Sequence, residues 1–279
     1  MGTTEVAAPE DFLSDSLESL YDHVPVAHST AGSLFTYQPF TGGPVISLMT
    51  PDTQAANWAL HASSIWSSSL YVAEHLDDLH LHKFASITQQ ESRPLRVLEL
   101  GAGAGLPSIL LAKTFHNVFV TCSDYPDPDL IGTLAENAKR NEAVDRCRVV
   151  PFAWGSDPSP LLRSQAAHTD PVPGFDVVLA ADTLWNSDTH RLFVKSLQIT
   201  LKRAPHARIH LVAGLHTGRY VLESFLKLMP EAGFVAEQLE ERRVGGTEER
   251  AWSVERADGE DEQERRRWVI WMVFKWADC

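Results

Sequence analysis

From Arg96 onward, short runs of Val, Ile and Leu alternate with longer runs whose apolar residues recur at helical spacing. This alternation is typical of βαβ units, in which helices connect parallel strands of one sheet. We predict strands at 96–100, 117–122, 146–152, 175–181 and 207–214. We predict the accompanying helices at 105–115, 129–141, 190–203 and 220–233. The pattern therefore indicates an α/β fold built on a parallel sheet.

The last two strand-like runs, 234–241 and 267–276, have no helical run between them. Strands joined in this way pair as antiparallel neighbours. Five helix-linked strands followed by a C-terminal antiparallel β-hairpin predict seven strands, not the six-strand order of dinucleotide-binding folds. The connection from Val244 to Gln263 is rich in Gly, Glu and Arg, and we predict a solvated, mobile excursion there.

An N-terminal hairpin and helix precede the sheet. The segments LFTYQPF and VISLM flank TGGP, which predicts a β-hairpin from Leu34 to Met49 with glycines in its turn. Residues 64–79 are predicted to form a helix that covers the sheet, and residues 1–32 to be weakly ordered. We accordingly divide the chain into an N-terminal extension, residues 1–60, and one catalytic-size domain, residues 61–279.

Charge and cysteine content restrict the classes of partner. The formal net charge of −13 would repel a nucleic-acid backbone or an anionic membrane, whereas a basic partner is favoured. No apolar run approaches the ~18 residues of a membrane span, and the N-terminus lacks the blocks of a signal peptide. The cysteines predict neither a disulfide framework nor a zinc site. We expect a cytoplasmic monomer without a metal.

The strongest functional signal is the run Glu99-Leu-Gly101-Ala102-Gly103-Ala-Gly105, where a strand ends and a helix begins. Glycines at such a junction let the backbone approach a ligand closely, and the helix N-terminus offers free N–H groups. A dinucleotide site would require G-x-G-x-x-G. Here the spacing is G-x-G-x-G, and Glu99 can accept a hydrogen bond from the α-ammonium group of an amino-acid ligand.

Asp124 follows the second strand, where a carboxylate can bind both hydroxyls of a ribose. The alternative is that Asp124 and Asp127 only cap the next helix. Trp154 follows the third strand near the expected adenine edge, although ordinary packing explains a tryptophan equally well. Trp66 has the same two interpretations.

Asp182 is the catalytic candidate, because functional groups gather at the carboxyl ends of strands in open α/β sheets. It could hydrogen-bond and orient an amine, while Trp185 and Tyr125 supply an aromatic wall suited to a cationic product. The alternative is that Asp182 only stabilises its loop. Histidines that could act as bases, each more simply explained as structural, are His61, His190 and His216.

Together these residues resemble methyltransferase family 16, the seven-β-strand protein methyltransferases. The resemblance runs from about Trp58 to the C-terminus and includes NWALHASSIW, VLELGAGAGLPSIL, SDYPDPDLIGTLAENAKRN, FAWGSDPSPLL and ADTLWNSDTH. It is strongest to the fungal nicotinamide-N-methyltransferase-like branch, which looks like elongation factor 1-alpha N-terminal and lysine methyltransferases. It implies a seven-stranded Rossmann-like methyltransferase fold.

The resemblance also implies S-adenosyl-L-methionine as the cofactor. The implied cofactor contacts are Trp66, Glu99, Gly101, Ala102, Gly103, Asp124, Tyr125, Trp154 and Ala181. Asp182 falls on the acidic position of the family's D-x-x-aromatic motif, with Trp185 at its aromatic position, and Asn186 also matches. The chain departs from the branch at Leu215-His216-Thr217-Gly218, where relatives carry a Pro-His-x-Pro-like turn.

Three functions follow as hypotheses. The first is N-methylation of a protein lysine or N-terminal amine, for example on a translation elongation factor. The second is N- or O-methylation of a small molecule in fungal secondary or pyridine metabolism. The third is a non-catalytic protein that retains the cofactor fold, which the intact set of Glu99, Asp124 and Asp182 disfavours.

Overall fold

The computed structural model describes residues 25–40, 42–52, 60–163 and 173–279. The strands in these ranges are β1 (Leu34–Tyr37), β2 (Ile46–Met49), β3 (Leu95–Leu100), β4 (Val118–Asp124), β5 (Cys147–Pro151), β6 (Val177–Ala181), β7 (Arg208–Gly214), β8 (Phe234–Arg243), β9 (Glu249–Ala251) and β10 (Trp268–Trp276). The α-helices are α1 (Ser67–Glu74), α2 (Ala85–Gln90), α3 (Leu106–Thr114), α4 (Pro128–Arg140), α5 (Ser159–Leu162), α6 (His190–Thr200), α7 (Arg219–Glu231) and α8 (Glu262–Arg266).

The main sheet has the strand order β5-β4-β3-β6-β7-β10-β8-β9. The first five strands in that order are parallel, and β10 is antiparallel to both β7 and β8. The predicted α/β fold with an antiparallel C-terminal pair is thus confirmed. An eighth strand was not predicted, because β9 is only three residues long and pairs with the edge of β8.

The order in which strands are added to the sheet reverses between β3 and β6, although the strands themselves stay parallel. The chain moves outward from β3 to β4 and β5, then returns to place β6 on the other side of β3. Such a switch point leaves a crevice at the carboxyl ends of the two strands. Helices pack against both faces of the sheet, and α3 is almost wholly buried. Because both faces of the sheet are covered, the sequences of its parallel strands are continuous apolar runs.

The predicted N-terminal hairpin forms and is held against α4 by two asparagines one helical turn apart. The side chain of Asn141 accepts from the N–H of Ser47 and donates to its carbonyl, both at 2.9 Å. Asn137 makes the same pair of bonds with Met49 at 2.8 Å. Asn137 also donates to the carbonyl of Ala104 in the glycine loop at 3.0 Å. The hairpin is therefore linked to that loop through one buried side chain.

Two predictions need correction. The helix predicted at 64–79 is shorter, since α1 gives way to a 3-10 turn at Leu76–Leu79. The segment 244–263 is solvated as predicted, since none of its residues is buried, but it is not a simple loop: it contains β9, the 3-10 turn Val254–Ala257 and the start of α8.

A buried ionic cluster fixes that segment to the rest of the fold. Arg219 donates to Glu241 at 2.5 and 2.9 Å and to Glu260 at 2.8 and 2.7 Å. The side chains of Arg219 and Glu241 are 0% exposed. Within the segment only Glu260 joins this cluster as a nearly buried carboxylate, whereas Glu248, Glu249 and Glu262 stay exposed.

Among the described residues, no helix is long and apolar enough to cross a membrane. Of the stretch predicted to be weakly ordered, residues 1–24 lie outside the described ranges. The domain boundary after residue 60 adjoins residues 53–59, which also lie outside them, and it stays a prediction.

Candidate active site

A cavity of about 420 Å³ lies at the carboxyl edge of β3, β4 and β6. The nine implied cofactor contacts and the three residues matched to the family's acidic motif all line it: Trp66, Glu99, Gly101, Ala102, Gly103, Asp124, Tyr125, Trp154, Ala181, Asp182, Trp185 and Asn186. Since these residues come from distant parts of the chain, their convergence on one cavity is a property of the fold and supports the site assignment.

The glycine loop needs glycine for two physical reasons. Gly101, Gly103 and Gly105 all have left-handed backbone angles, with φ of 71°, 54° and 91°. A Cβ on Gly101 would also lie 2.7 Å from the methyl carbon of Thr183. The amides of Gly101 and Ala102 both donate to the carbonyl of Ser123, at 2.9 and 3.0 Å. The loop is thereby fixed over the end of β4, with its backbone along the cavity.

Glu99 is a buried carboxylate at the end of β3. Its side chain accepts from both the N–H and the hydroxyl of Ser108, and only about 1% of the residue is exposed. Burial raises the pKa of Glu99 to about 8, against the opposing effect of the Ser108 hydrogen bonds, and nearby Asp124 adds to the rise. A buried carboxylate of this kind is stabilised by a cationic ligand group.

The two aspartates after β4 have different roles. Asp127 caps α4, since its Oδ1 accepts from the N–H groups of Asp129 and Leu130 at 3.0 and 2.9 Å. Asp124 caps no helix and lines the cavity, where it accepts from the N–H of Gly103 at 2.6 Å and of Tyr125 at 2.7 Å. Burial raises the pKa of Asp124 to about 6. The helix-capping alternative therefore holds for Asp127 only.

Trp154 both packs against the core and lines the cavity. Its ring makes an edge-to-face contact with Phe193, with ring centroids 4.8 Å apart. The same half-buried ring also lines the cavity. Its Cζ2 lies 3.5 Å from where a Cβ of Gly101 would stand. Trp154 thus forms a wall that faces the glycine loop.

Asp182 is held by backbone groups rather than projecting freely. Its Oδ1 accepts from the N–H of Gly214 at 2.8 Å, and its Oδ2 from the N–H of Ser68 at 3.4 Å. Its φ of 53° is left-handed, which is unusual for a residue other than glycine. Asp182 therefore joins β6, β7 and the first turn of α1, as the structural alternative supposed, while it still lines the cavity.

Three rings line the cavity beside Asp182, and a fourth ring, that of His216, stacks on one of them. Trp66 stacks on His216, with centroids 5.8 Å apart and planes at 8°, and its Nε1 donates to the carbonyl of His61 at 2.8 Å. His61 in turn meets Trp185 edge-on at 4.5 Å. We call Trp66, His61, Trp185 and His216 the aromatic rim. The rim explains why Trp66 and Trp185 belong to the site.

The remaining candidates have local roles. Asn186 caps the 3-10 turn Ser187–Thr189 by accepting from the N–H of Asp188 at 3.0 Å. His190 lies in α6, bonds the carbonyl of Leu184 at 3.0 Å and is buried, so that its pKa is lowered. His190 does not line the cavity, in agreement with its structural interpretation.

Four polar cavity residues were not singled out from the sequence: Ser64, Ser69, Thr183 and Thr189. Thr183 directly follows Asp182 and was overshadowed by it. Ser69 lies three residues after Trp66 in a run of serines, where periodicity gives no reason to prefer one serine over another. Only their nearness in sequence to Asp182 and Trp66 could have indicated that Thr183 and Ser69 belong to the cavity.

The fold and site define a Rossmann-like α/β enzyme whose small ligand binds at the carboxyl edge of the sheet. The family described as lysine methyltransferase matches residues 53–232, which is more than half of the chain. The chain belongs to this family and is a methyltransferase.

The chain is also similar to curated fungal proteins, each named protein N-terminal and lysine N-methyltransferase efm7. The relative from Schizosaccharomyces pombe is 31% identical over 195 residues, covering 68% of this chain and 72% of the relative. The one from Gibberella zeae is 28% identical over 242 residues, covering 82% and 84%. The one from Debaryomyces hansenii is 33% identical over 141 residues, covering 50% and 52%.

Proposed function

We propose that this protein transfers a methyl group from S-adenosyl-L-methionine to a lysine or N-terminal amine of a protein. The observation that carries the proposal is the position of Glu99 and Asp124, two carboxylates at the ends of adjacent strands that face one cavity beside a glycine loop. The similar fungal proteins are named protein N-terminal and lysine N-methyltransferases, which supports a protein amine as the acceptor.

The residues present fit the cofactor. Asp124 would accept from the ribose hydroxyls, Glu99 from the ammonium group of the methionine part, and Trp154 would pack on the adenine. Gly101, which has no room for a Cβ beside Thr183, keeps the backbone of the glycine loop along the cavity, where it can lie against the cofactor. When bound, this cofactor supplies an electrophilic methyl group on a sulfonium.

The aromatic rim would receive the acceptor amine. An amine must be neutral to attack, and the methylated product is a cation, which the faces of Trp66 and Trp185 can stabilise. Asp182 acts here as a positioning residue, because its bonds to Ser68 and Gly214 fix α1 and the end of β7, which carry Trp66 and His216 beside the cavity. The net charge of −13 favours a basic acceptor segment.

The acceptor we propose to test first is elongation factor 1-alpha. The purified protein is incubated with radiolabelled S-adenosyl-L-methionine and recombinant fungal elongation factor, with its N-terminus either free or acetylated. Label lost on acetylation identifies the N-terminal amine, and label retained identifies lysine. Asp124→Asn should abolish labelling, whereas Glu136→Gln, an exposed change on α4, should not.

Two outcomes would overturn this proposal. Label confined to the small-molecule fraction of a fungal lysate would favour the metabolite enzyme. Cofactor binding without label in any fraction would favour the non-catalytic protein. A cytoplasmic, monomeric protein remains our prediction from composition, and imaging of a tagged chain and its sedimentation would test it.

A further inference from the structure

A second cavity, of about 320 Å³, lies at the amino-terminal edge of the sheet, away from the candidate active site. Its floor is the start of β7 with the paired segments of β10 and β8. The 3-10 turns Leu76–Leu79 and Leu81–Phe84 supply its other wall. Because β7 runs from Arg208 at this cavity to Gly214 beside Asp182, roughly 20 Å separate the two sites.

The titratable lining of this cavity is mainly basic: His80, Lys83, His206, Arg208 and His210, with Glu237 as the acid. Glu237 already has two cationic partners, since Arg208 donates to it at 2.5 Å and Lys275 lies 3.0 Å away. Lys83 makes no ion pair with any other described residue. The fixed charges of the lining are therefore Lys83 and Arg208 against Glu237, a local excess of one positive charge, although the chain as a whole carries a net charge of −13.

His210 presents a hydrogen-bond donor that no other described residue uses. The indole N–H of Trp271 donates to His210 Nδ1 at 3.4 Å, which leaves the proton of a neutral ring on Nε2. Burial, aided by the positive charges of His80 and Arg208, lowers the pKa of His210 to about 3, so the ring is neutral. The residue is 3% exposed and lines the cavity. Because Nε2 is not one of the fully buried unpaired atoms of the described residues, it is accessible from the cavity and can donate to a ligand there.

Apart from Gln238, the rest of the lining is apolar. Leu79, Phe84 and Val273 are buried and border the same space. The volume is at the lower end of the range for small-molecule sites, which typically combine apolar walls with a few polar groups. No group of three metal-binding side chains occurs among the described residues, so the three histidines do not form a metal site there.

We propose that this cavity binds a small organic anion, with a phosphate or carboxylate group on an apolar body. Lys83 pairs with the negative charge, His210 Nε2–H donates to one of its oxygens, and the apolar body lies against Phe84 and Leu79. The site needs neither the cofactor nor the acceptor amine, so it stands independently of the proposed methyl transfer.

The test is titration of the full chain with phenyl phosphate, benzoate and neutral benzyl alcohol. Calorimetry measures affinity, and NMR of 13C-labelled histidines reports on His210. We expect saturable 1:1 binding of at least one anion, with a shifted His210 signal and benzyl alcohol at least about tenfold weaker. Which anion binds more tightly identifies the charged group.

Lys83→Met should weaken that binding about tenfold, because it removes the cavity's lysine, which has no ion-pair partner among the described residues. Its melting temperature without ligand should match the wild type, since Lys83 is exposed. Lys139→Met, a change on the distant α4, is the matched control and should bind normally.

Three results would overturn the proposal. These are equal affinity for benzyl alcohol, unchanged affinity in Lys83→Met, and an absence of saturable binding by either anion up to about 10 mM, where the affinity is already negligible.

Discussion

The carboxylate of Asp182 accepts a hydrogen bond from the backbone N–H of Gly214 at 2.8 Å, joining the ends of β6 and β7. The amide of Asp182 in turn donates to the carbonyl of Val212 at 2.9 Å. Asp182, the catalytic candidate predicted from the sequence, is therefore hydrogen-bonded to the backbone of the fold. The distinction matters because a positioning residue and a catalytic residue respond differently to substitution.

Asp182→Ala should destabilise the protein by about 2–4 kcal/mol, since two backbone N–H groups lose their acceptor and alanine disfavours a left-handed φ. Asp182→Asn should cost roughly half as much, because asparagine keeps one oxygen and tolerates that φ. Urea denaturation measures both. Asp188→Asn, in the neighbouring exposed turn, is the control. If both variants unfold like the wild type yet lose methyl transfer, Asp182 acts on the acceptor directly.

Gly101→Ala should reduce cofactor affinity at least about tenfold, because alanine at φ 71° is strained and its Cβ would lie 2.7 Å from Thr183 Cγ2. Calorimetric titration with S-adenosyl-L-methionine measures this. Gly132→Ala is the matched control, since a Cβ there meets no atom within 4 Å and the residue is helical. It should bind normally and be stabilised by about 0.5–1 kcal/mol. Normal affinity in Gly101→Ala would remove the loop from the cofactor site.

Asn137→Asp should detach the N-terminal hairpin from α4. The substitution keeps the shape but removes the donor that serves Met49 and Ala104, at an expected cost of about 2–3 kcal/mol. Hydrogen exchange at the amides of Met49 and Ser47 should accelerate, and Glu136→Gln should leave it unchanged. Unaltered protection of these amides would show that apolar packing alone holds the hairpin.

Ligand-free stability should fall as pH rises. Since burial raises the pKa of Glu99 from 4.5 to about 8 and of Asp124 from 3.8 to about 6, the folded state holds more protons than the unfolded chain inside those windows. The Glu99 contribution is complete below pH about 4.5 and is lost towards pH 8, at up to about 1.4 kcal/mol per pH unit. Denaturation at a series of pH values measures it.

The same linkage predicts tighter cofactor binding at higher pH. An ammonium group prefers ionised Glu99, so the affinity for S-adenosyl-L-methionine should rise between pH 6 and 8. In Glu99→Gln that rise should disappear, and the ligand-free stability should lose most of its pH dependence. A Glu99→Gln profile that parallels the wild type would refute the role assigned to this carboxylate.

Glu241→Gln should destabilise the protein by about 3–5 kcal/mol, because it removes the buried carboxylate that neutralises several guanidinium groups. Glu241 binds Arg219, Arg250 and Arg256, with N–O distances of 2.5, 2.7 and 2.8 Å. Its neighbour Glu240 is 37% exposed and pairs with Arg242 at 3.3 Å, so Glu240→Gln should cost less than about 1 kcal/mol. Equal costs for the two would mean that the buried cluster contributes no more than a surface pair.

Local patterns determined much of the fold and of the cofactor site. Alternating strand and helix periods fixed the parallel sheet, because each period reflects which faces of an element are buried. The position of Glu99 and Asp124 at the ends of β3 and β4 predicted that they lie together, and both line one cavity, since parallel strands end at one edge of a sheet. These signals lie within short stretches of the chain, so they can be recognised without knowing which distant residues are in contact.

Only the tertiary structure decided what individual polar groups bind. Asn137 meets Met49 across 88 positions, and Asp182 meets Ser68 across 114. Arg219 and Glu241 look like solvated charges in the sequence but are buried together. A polar side chain takes whichever partner packing brings within hydrogen-bond distance, and packing depends on the whole fold. Lys83 and His210 share a second cavity for the same reason, which no motif in the sequence indicated.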